Sequence, residues 1–219
     1  MTTRQQFDAS LEELRQKIYD LGTIVNERID MAVKSLQRQD QELAQTVIAG
    51  DGQVNDLQAE IEGKCMFLIA TQQPFARDLR KIVAGFKISI GLERMGDLAV
   101  DVAKTTRRIG QTPLIKPLVD IPRMNETVQA MINKGLKAYI QEDEQLAREM
   151  SKMDDGVDHL YNQIFRELLL IMMEDPKTIT QATYLLFVAR FFERMGDYCT
   201  NMAEEIVYIV SGRRTDLND

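Results

Sequence analysis

The pentapeptide ERMGD occupies residues 93–97 and occurs again, unchanged, at residues 193–197 of this 219-residue chain. A chance repeat of five residues in a chain of this length has odds on the order of 1%, so the two copies indicate a duplicated unit. Other residues match at an offset near 103: Asp40, Leu43 and Ala44 with Asp143, Leu146 and Ala147, and Asp51, Val54 and Leu57 with Asp154, Val157 and Leu160. The sequence therefore predicts two copies of one structural unit.

The residues around both copies follow a helical pattern. Apolar side chains recur at three- and four-residue steps, for example at Leu11, Leu14, Ile18, Leu21, Val25, Ile29 and Ala32, and such spacing places them on one face of a helix. The five prolines, which interrupt helices, occupy positions 74, 113, 117, 122 and 176. Asp40 and Asp143 are suitable N-caps. We predict six helices, near residues 5–38, 41–71, 76–109, 119–141, 143–174 and 178–211.

The order of these elements is the same in each half of the chain. This predicts an all-α fold that consists of a tandem repeat of two three-helix bundles, with six long antiparallel helices. We expect residues 1–110 to form the first bundle and residues 111–219 to form the second. The proline-containing segment at residues 110–122 is the predicted linker between them.

Composition excludes several classes of protein. The net charge is −7 and basic blocks are absent, which argues against a nucleic-acid partner. No apolar stretch reaches the roughly 18 residues that span a bilayer, and the first 20 residues lack the apolar segment of a secretory signal. Two cysteines in unrelated contexts do not form a disulfide scaffold, so a cytoplasmic location without direct membrane insertion is expected. Since no phosphate loop, nucleophile triad or zinc spacing occurs, we expect a non-enzymatic protein.

Acidic residues follow a four-residue spacing in both repeats. The first ERMGD segment and its flank supply Glu93, Asp97 and Asp101, and the second supplies Glu193, Asp197 and Asn201. The preceding predicted helices carry Asp51 with Asn55 and Asp154 with Asp158 at the same spacing. Like charges one helical turn apart destabilise a helix by roughly 0.2–0.5 kcal/mol per pair, and a bound cation would offset this cost. Two antiparallel helices would then present four oxygen-bearing side chains to one place in each repeat.

Other interpretations of this pattern remain open at the level of the sequence. Charges at this spacing also occur on an ordinary solvated helix face, and on a helical wheel the acids lie opposite the apolar positions. Gly96 and Gly196, in the middle of predicted helices, indicate either close helix packing or the approach of a ligand. A carboxylate-bridged metalloenzyme and a plain helical scaffold without metal are the alternatives in function.

Three segments carry a resemblance to a known family. They are QQPFARDLRKIV at residues 72–83, KISIGLERMGDLAVDVAK at 87–104 and ARFFERMGDYCTNMAEEIVYIVSG at 189–212, and they resemble the PhoU phosphate-uptake regulators. The resemblance implies a cytoplasmic homodimer that acts as a negative regulator of phosphate uptake and phosphate-starvation signalling. Its implied partners are the ATPase subunit of the high-affinity phosphate ABC transporter and the phosphate-sensing histidine kinase.

The resemblance also implies metal binding, because E(D)xxxD motifs of this family hold iron or zinc clusters and some members carry other ions, so that Mg, Mn or Ca is also possible. Carried over to this chain, the motifs fall on Glu93, Asp97 and Asp101, on Glu193, Asp197 and Asn201, and on the pairs Asp51 with Asn55 and Asp154 with Asp158. Asn55 and Asn201 depart from an all-carboxylate set. Each amide removes one negative charge, so the two sites are not expected to be equal in affinity or occupancy.

Overall fold

Helices dominate the structure, a computed structural model that describes residues 3–217. The bounds of the α-helices are α1 Thr3–Arg38, α2 Gln41–Ala49, α3 Asp51–Gln72, α4 Ala76–Ile109, α5 Asp120–Gln141, α6 Glu144–Ser151, α7 Asp154–Glu174 and α8 Ile179–Ser211. A short 3-10 turn, Pro176–Thr178, precedes α8. The described part of the chain contains no β-strand, which confirms the predicted all-α fold. The outermost residues of the two predicted bundles, 1–2 and 218–219, lie outside the described range.

The predicted second and fifth helices are each interrupted. Gly50 separates α2 from α3, and residues 152–153 separate α6 from α7. A side chain at Gly50 would lie 2.3 Å from the guanidinium of Arg28, which fills this space. The apolar spacing continues across both breaks, so periodicity alone did not reveal them. As a consequence, Asp51 and Asp154 each occupy the first residue of a helix instead of the middle of one.

The predicted N-caps are confirmed. The Asp40 side chain accepts a hydrogen bond of 2.9 Å from the backbone N–H of Leu43, and the Asp143 side chain accepts one of 3.0 Å from Leu146. Each bond satisfies an amide that the first turn of a helix leaves free. The α5 helix begins at Asp120, so Pro122 lies in its first turn, where no intrahelical N–H bond is lost.

The two repeats pack through equivalent helices that run antiparallel. On α4 and α8, the Lys87 Nζ lies 3.0 Å from the Glu205 Oε1, and the Met95 Sδ lies 3.9 Å from the Cys199 Sγ. On α1 and α5, Arg15 bonds to the carbonyl of Ile140. Since α4 meets α8 and α1 meets α5, each in the opposite direction, the two repeats are related by an approximate two-fold rotation.

One continuous core joins the repeats. The predicted apolar face of α1 is buried in it, at Leu14, Ile18, Leu21, Val25, Ile29 and Ala32, while Leu11 is partly buried. The α3 helix packs on α1 and α4, and α7 packs on α5 and α8. The ERMGD segments therefore lie in the long helices α4 and α8, with α3 and α7 beside them.

None of the helices within residues 3–217 is long and apolar enough to cross a membrane.

Candidate metal centre

The first acidic site lies between α4 and the start of α3. Glu93 and Asp97 project from α4, and the side chain of Glu93 is 21% exposed. On α3, the Asp51 Oδ2 accepts a hydrogen bond of 3.3 Å from the Asn55 amide, while its Oδ1 is buried without a hydrogen-bond partner. Burial raises the pKa of Glu93, and the negative charges of Asp97 and Asp51 raise it further. The positive charge of Arg94 lowers the same pKa. These three carboxylates therefore share one electrostatic environment.

The second acidic site, between α7 and α8, contains four carboxylates. Glu193 and Asp197 come from α8, and Asp154 and Asp158 come from α7. Burial raises the pKa of Asp154 to about 6, and the negative charges of Asp158, Asp197 and Glu193 add to this rise. Burial also raises the pKa values of the other three carboxyls, whereas the positive charge of Arg190 lowers them. Arg190 bonds to Glu193. Burial and mutual repulsion thus disfavour the ionised form of these carboxyls, and Arg190 offsets this only in part.

The two ERMGD glycines have different neighbours. An added Cβ at Gly196 would lie 2.1 Å from the Asp154 Oδ1, so this glycine admits a carboxylate against the backbone of α8. An added Cβ at Gly96 would lie 3.1 Å from the Val54 Cγ1. Close helix packing therefore accounts for Gly96, whereas Gly196 lets a site residue approach.

Two predicted ligands lie apart from these groups. Asp101 pairs with Lys104 at 3.2 Å, and it is not among the charges that act on Glu93. Asn201 is exposed and lines a groove between α4 and α8. A spacing of four residues advances 40° around a helix, so two steps turn the side chain away from the neighbouring helix.

Thr200, which the four-residue spacing of the acids does not include, contacts Asp154 in the second site. The hydroxyl of Thr200 is buried and donates a hydrogen bond of 3.1 Å to the Asp154 Oδ2. Thr200 lies seven residues after Glu193, two helical turns on the same face. A search at steps of seven, instead of four, would have found it. The equivalent residue of the first repeat is Val100.

The solvated-face interpretation does not describe the centres of the two sites. The side chain of Glu193 is 13% exposed, and its Oε2 is buried without a hydrogen-bond partner, as are the Oδ1 atoms of Asp51 and Asp154. A buried carboxylate oxygen without a partner is costly, and a cation would remove this cost. Oxygen donors of this kind suit hard and borderline cations. The carboxylates of both sites therefore have the type of donor atom and the negative charge that a bound cation requires.

The present side-chain positions do not form a closed coordination sphere. Within residues 3–217, no three Asp, Glu, His or Cys side chains converge closely enough to hold one ion. Binding would therefore require the carboxylates to turn toward each other, which their mutual repulsion opposes until a cation is present.

Comparison with known proteins gives a consistent result. The family model described as "PhoU domain" matches the chain twice, at residues 18–106 and 121–206. A "Phosphate-specific transport system accessory protein PhoU homolog" of Clostridium acetobutylicum is 41% identical over 218 residues, which are 99% of this chain and 100% of that protein. The homolog of Aquifex aeolicus is 41% identical over 202 residues, 92% of this chain and 91% of that protein. These relatives are named as an accessory protein, in agreement with the expectation of a non-enzymatic protein.

Solved structures show the same architecture. The crystal structure of PhoU from Pseudomonas aeruginosa matches with a TM-score of 0.91 and 34% identity, over 94% of this chain and 100% of that chain. The crystal structure of the phosphate transport system regulatory protein PhoU from Streptococcus pneumoniae matches with a TM-score of 0.89 and 29% identity. This match covers 96% of this chain and 99% of that chain. On the double domain match, the full-length identity and the shared fold, this chain belongs to the PhoU family.

Proposed function

We propose that this chain is a regulatory accessory protein of phosphate-specific transport. The observation that carries the proposal is the similarity over nearly the whole chain to proteins named as accessory to that system. The specific role we propose is negative regulation of phosphate uptake and phosphate-starvation signalling, exerted in the cytoplasm by a homodimer. The partners would be the ATPase subunit of the phosphate transporter and the phosphate-sensing histidine kinase.

Metal binding at the two acidic sites is the second part of the proposal. The first site would use Glu93 and Asp97 with Asp51, and Asn55 beside it, and the second would use Glu193 and Asp197 with Asp154 and Asp158. The unpartnered buried oxygens of both sites support this assignment. Iron or zinc is the proposed ion, and Mg, Mn and Ca are compatible with the same oxygen donors.

A bound cation would change the charge that the protein presents. Four neighbouring carboxylates in the second site repel an acidic partner surface, and a divalent cation among them would neutralise about half of their charge. Because ligation needs ionised carboxylates, the cation would also release the protons that the raised pKa values of Asp154 and Glu193 favour. This links metal loading to the docking of partners without any catalytic step.

Metal analysis of the chain, purified without chelator and after reconstitution with Fe²⁺ or Zn²⁺, tests the metal proposal. We expect at least about one ion per chain, and a loss of more than half of the bound metal in the double variant Glu193→Gln with Asp197→Asn, because this variant removes the site with more carboxylates. The matched control is Asp56→Asn with Glu60→Gln, two exposed acids one turn apart on α3. Less than about 0.1 ion per chain after reconstitution contradicts the proposal.

Affinity capture tests the regulatory role separately. We expect the tagged chain to retain the ATPase subunit of the phosphate transporter and the histidine kinase from cells grown at high phosphate. Deletion of the gene should raise phosphate uptake at high external phosphate. Capture of neither partner, with unchanged uptake after deletion, contradicts the regulatory role even if metal is bound.

A further inference from the structure

The hairpin of α7 and α8 carries exposed apolar side chains on its outer face. They are Phe165, Leu169, Leu170 and Met173 on α7, with Ile179 and Phe187 on α8, and we call them the α7–α8 patch. The guanidinium of Arg190 lies over the ring of Tyr161, which fixes the register of the two antiparallel helices. Phe165 is therefore near the level of Phe187, and Met173 is near the level of Ile179, so the patch is continuous across both helices.

The patch is large enough for an interface. Its six side chains expose roughly 600 Å² together, at about 200 Å² for a whole side chain of this size. The largest apolar patch on a typical monomer covers about 300–600 Å². An interface of standard size buries about 800 Å² on each partner, and in homodimers about 65% of it is apolar. The patch thus supplies the apolar area that one homodimer interface requires.

Duplication does not account for the patch. The equivalent positions of the first repeat, at offsets of 103 on the α7 side and 100 on the α8 side, replace Phe165 by Glu62, Met173 by Ala70 and Phe187 by Lys87. Two charged residues therefore interrupt the exposed surface of α3 and α4 where the surface of α7 and α8 continues. The uninterrupted patch belongs to the second repeat and not to the duplicated unit.

Two opposite charges on α7 border the patch. Arg166 lies near its beginning and Glu174 at its end, and both are exposed. Within residues 3–217, neither takes part in an ion pair, and the Arg166 Nε donates only to the carbonyl oxygen of Asn162 on its own helix. The equivalent residues of the first repeat are Gly63 and Thr71. The charges are thus confined to the same repeat as the apolar patch.

The positions of these charges favour one orientation of a second chain. Arg166 precedes Leu169 by three residues and Glu174 follows it by five, so in an antiparallel pair of α7 helices centred on Leu169 each lies within about 3 Å of the level of the other. A parallel pair would instead oppose like charges. It would also bring together two acidic sites, because Arg190 joins Tyr161 to Glu193 at the edge of the patch.

We propose that a second copy of this chain packs on the α7–α8 patch and forms an antiparallel dimer with two-fold symmetry. The inference rests on the homodimer of the proposed function and locates its interface. Leu169 and Met173 of both copies lie at the centre of the contact, and Arg166 of each copy pairs with Glu174 of the other. The two acidic sites between α7 and α8 then lie at opposite ends of the interface.

Sedimentation equilibrium of the full-length chain tests this interface. We expect a wild-type dimer with a dissociation constant below about 10 μM, and a dissociation constant at least about tenfold higher in Leu170→Glu, because the substitution places a charge in an apolar contact. The matched control is Phe67→Glu, at the equivalent position of the first repeat. The wild-type residues are similarly exposed, at 59% for Leu170 and 62% for Phe67. Circular dichroism checks that each variant is folded.

The outcomes separate the interface from the homodimer itself. A wild-type dimer that Leu170→Glu leaves intact, or that Phe67→Glu weakens equally, overturns the α7–α8 interface while the homodimer of the proposed function stands. A wild type that stays monomeric at about 100 μM overturns both. Neither result bears on the capture of the transporter ATPase and the kinase, which is measured separately.

Exchange of the two charges tests the orientation. Each charge takes part in the interface twice in a two-fold dimer, so Arg166→Glu and Glu174→Arg should each raise the dissociation constant several-fold. The double variant with both substitutions restores opposite charges across the interface, and we expect it to return within about twofold of the wild type. A double variant as weak as the single ones contradicts the antiparallel pairing.

Discussion

The two acidic sites share the ERMGD segment but differ in what surrounds it. In the second site the neighbouring helix supplies two carboxylates, Asp154 and Asp158, whereas in the first it supplies Asp51 and the amide of Asn55. Duplication has therefore kept the helix pair and changed its charge. An identical motif therefore does not make an identical site, because the charges on the neighbouring helix change the electrostatic field around the motif.

The largest expected difference is in cation affinity. Four carboxylates attract a cation more strongly than three, so we expect the second site to bind Zn²⁺ at least about tenfold more tightly than the first. Competition titrations with Glu93→Gln/Asp97→Asn and with Glu193→Gln/Asp197→Asn leave one site intact in each case. Equal affinity in the two double variants would remove the electrostatic distinction between the repeats.

The second difference concerns Gly96 and Gly196. Alanine at position 196 places its Cβ on the Asp154 Oδ1 and displaces this carboxylate, so we expect cation affinity at the second site to fall several-fold. Alanine at position 96 presses on Val54 and should leave cation binding at the first site nearly unchanged. Zinc titration of Gly196→Ala, with Gly96→Ala as the matched control, measures both. An equal loss in the two variants contradicts the role assigned to Gly196.

The third difference is the pH dependence of stability in metal-free protein. The pKa of Asp154 is raised to about 6 in the folded chain, above its unfolded value of about 3.9, so the folded state binds more protons between these values. The stability that protonation provides is complete below about pH 4 and is lost as the pH rises through about 6.

Denaturant unfolding at pH 4.5 and pH 7.5, with chelator present, measures this effect. Asp154→Asn should reduce the change in unfolding free energy between the two pH values by on the order of 1 kcal/mol, after allowance for solvent screening. Asp56→Asn removes the same charge from an exposed position on α3 and serves as the control. An unchanged pH profile in Asp154→Asn contradicts the assigned coupling.

The smallest expected effect is that of Thr200→Val, which copies Val100 of the first repeat. Loss of the hydrogen bond to the Asp154 Oδ2 should cost about 1 kcal/mol of stability at pH 7.5. Because this bond lowers the pKa of Asp154, its loss should raise that pKa further. Denaturant unfolding at several pH values measures both. A variant as stable as the wild type, with the same pH profile, means that the hydroxyl does not support the site.

Most of the architecture follows from local sequence signals. Helical spacing and the repeated ERMGD segment predict the helices and their duplication, and the caps at Asp40 and Asp143 are visible as residue types. The breaks at Gly50 and residues 152–153 could not be predicted in this way. The break at Gly50 depends on Arg28, which is distant in sequence and fills the space beside the glycine.

Carboxylates on neighbouring helices were expected to lie together, and Glu193 and Asp197 on α8 do lie beside Asp154 and Asp158 on α7. Asp101 and Asn201 lie apart from these groups, because two steps of four residues rotate the side chain away from the neighbouring helix, and Thr200 contacts Asp154 instead. That the acidic groups bind metal stays a prediction. The groove between α4 and α8 that Asn201 lines depends on which faces of two distant helices meet, which one-dimensional periodicity does not encode.

Anomalous diffraction at the zinc edge, from crystals of the full-length chain reconstituted with Zn²⁺, would show directly whether the two acidic sites bind a cation. We expect a strong peak between α7 and α8 beside Glu193 and Asp197, and a weaker peak between α3 and α4 beside Glu93 and Asp97. Crystals that contain zinc elsewhere, or no zinc at all, with both acidic sites free of anomalous density, would contradict it.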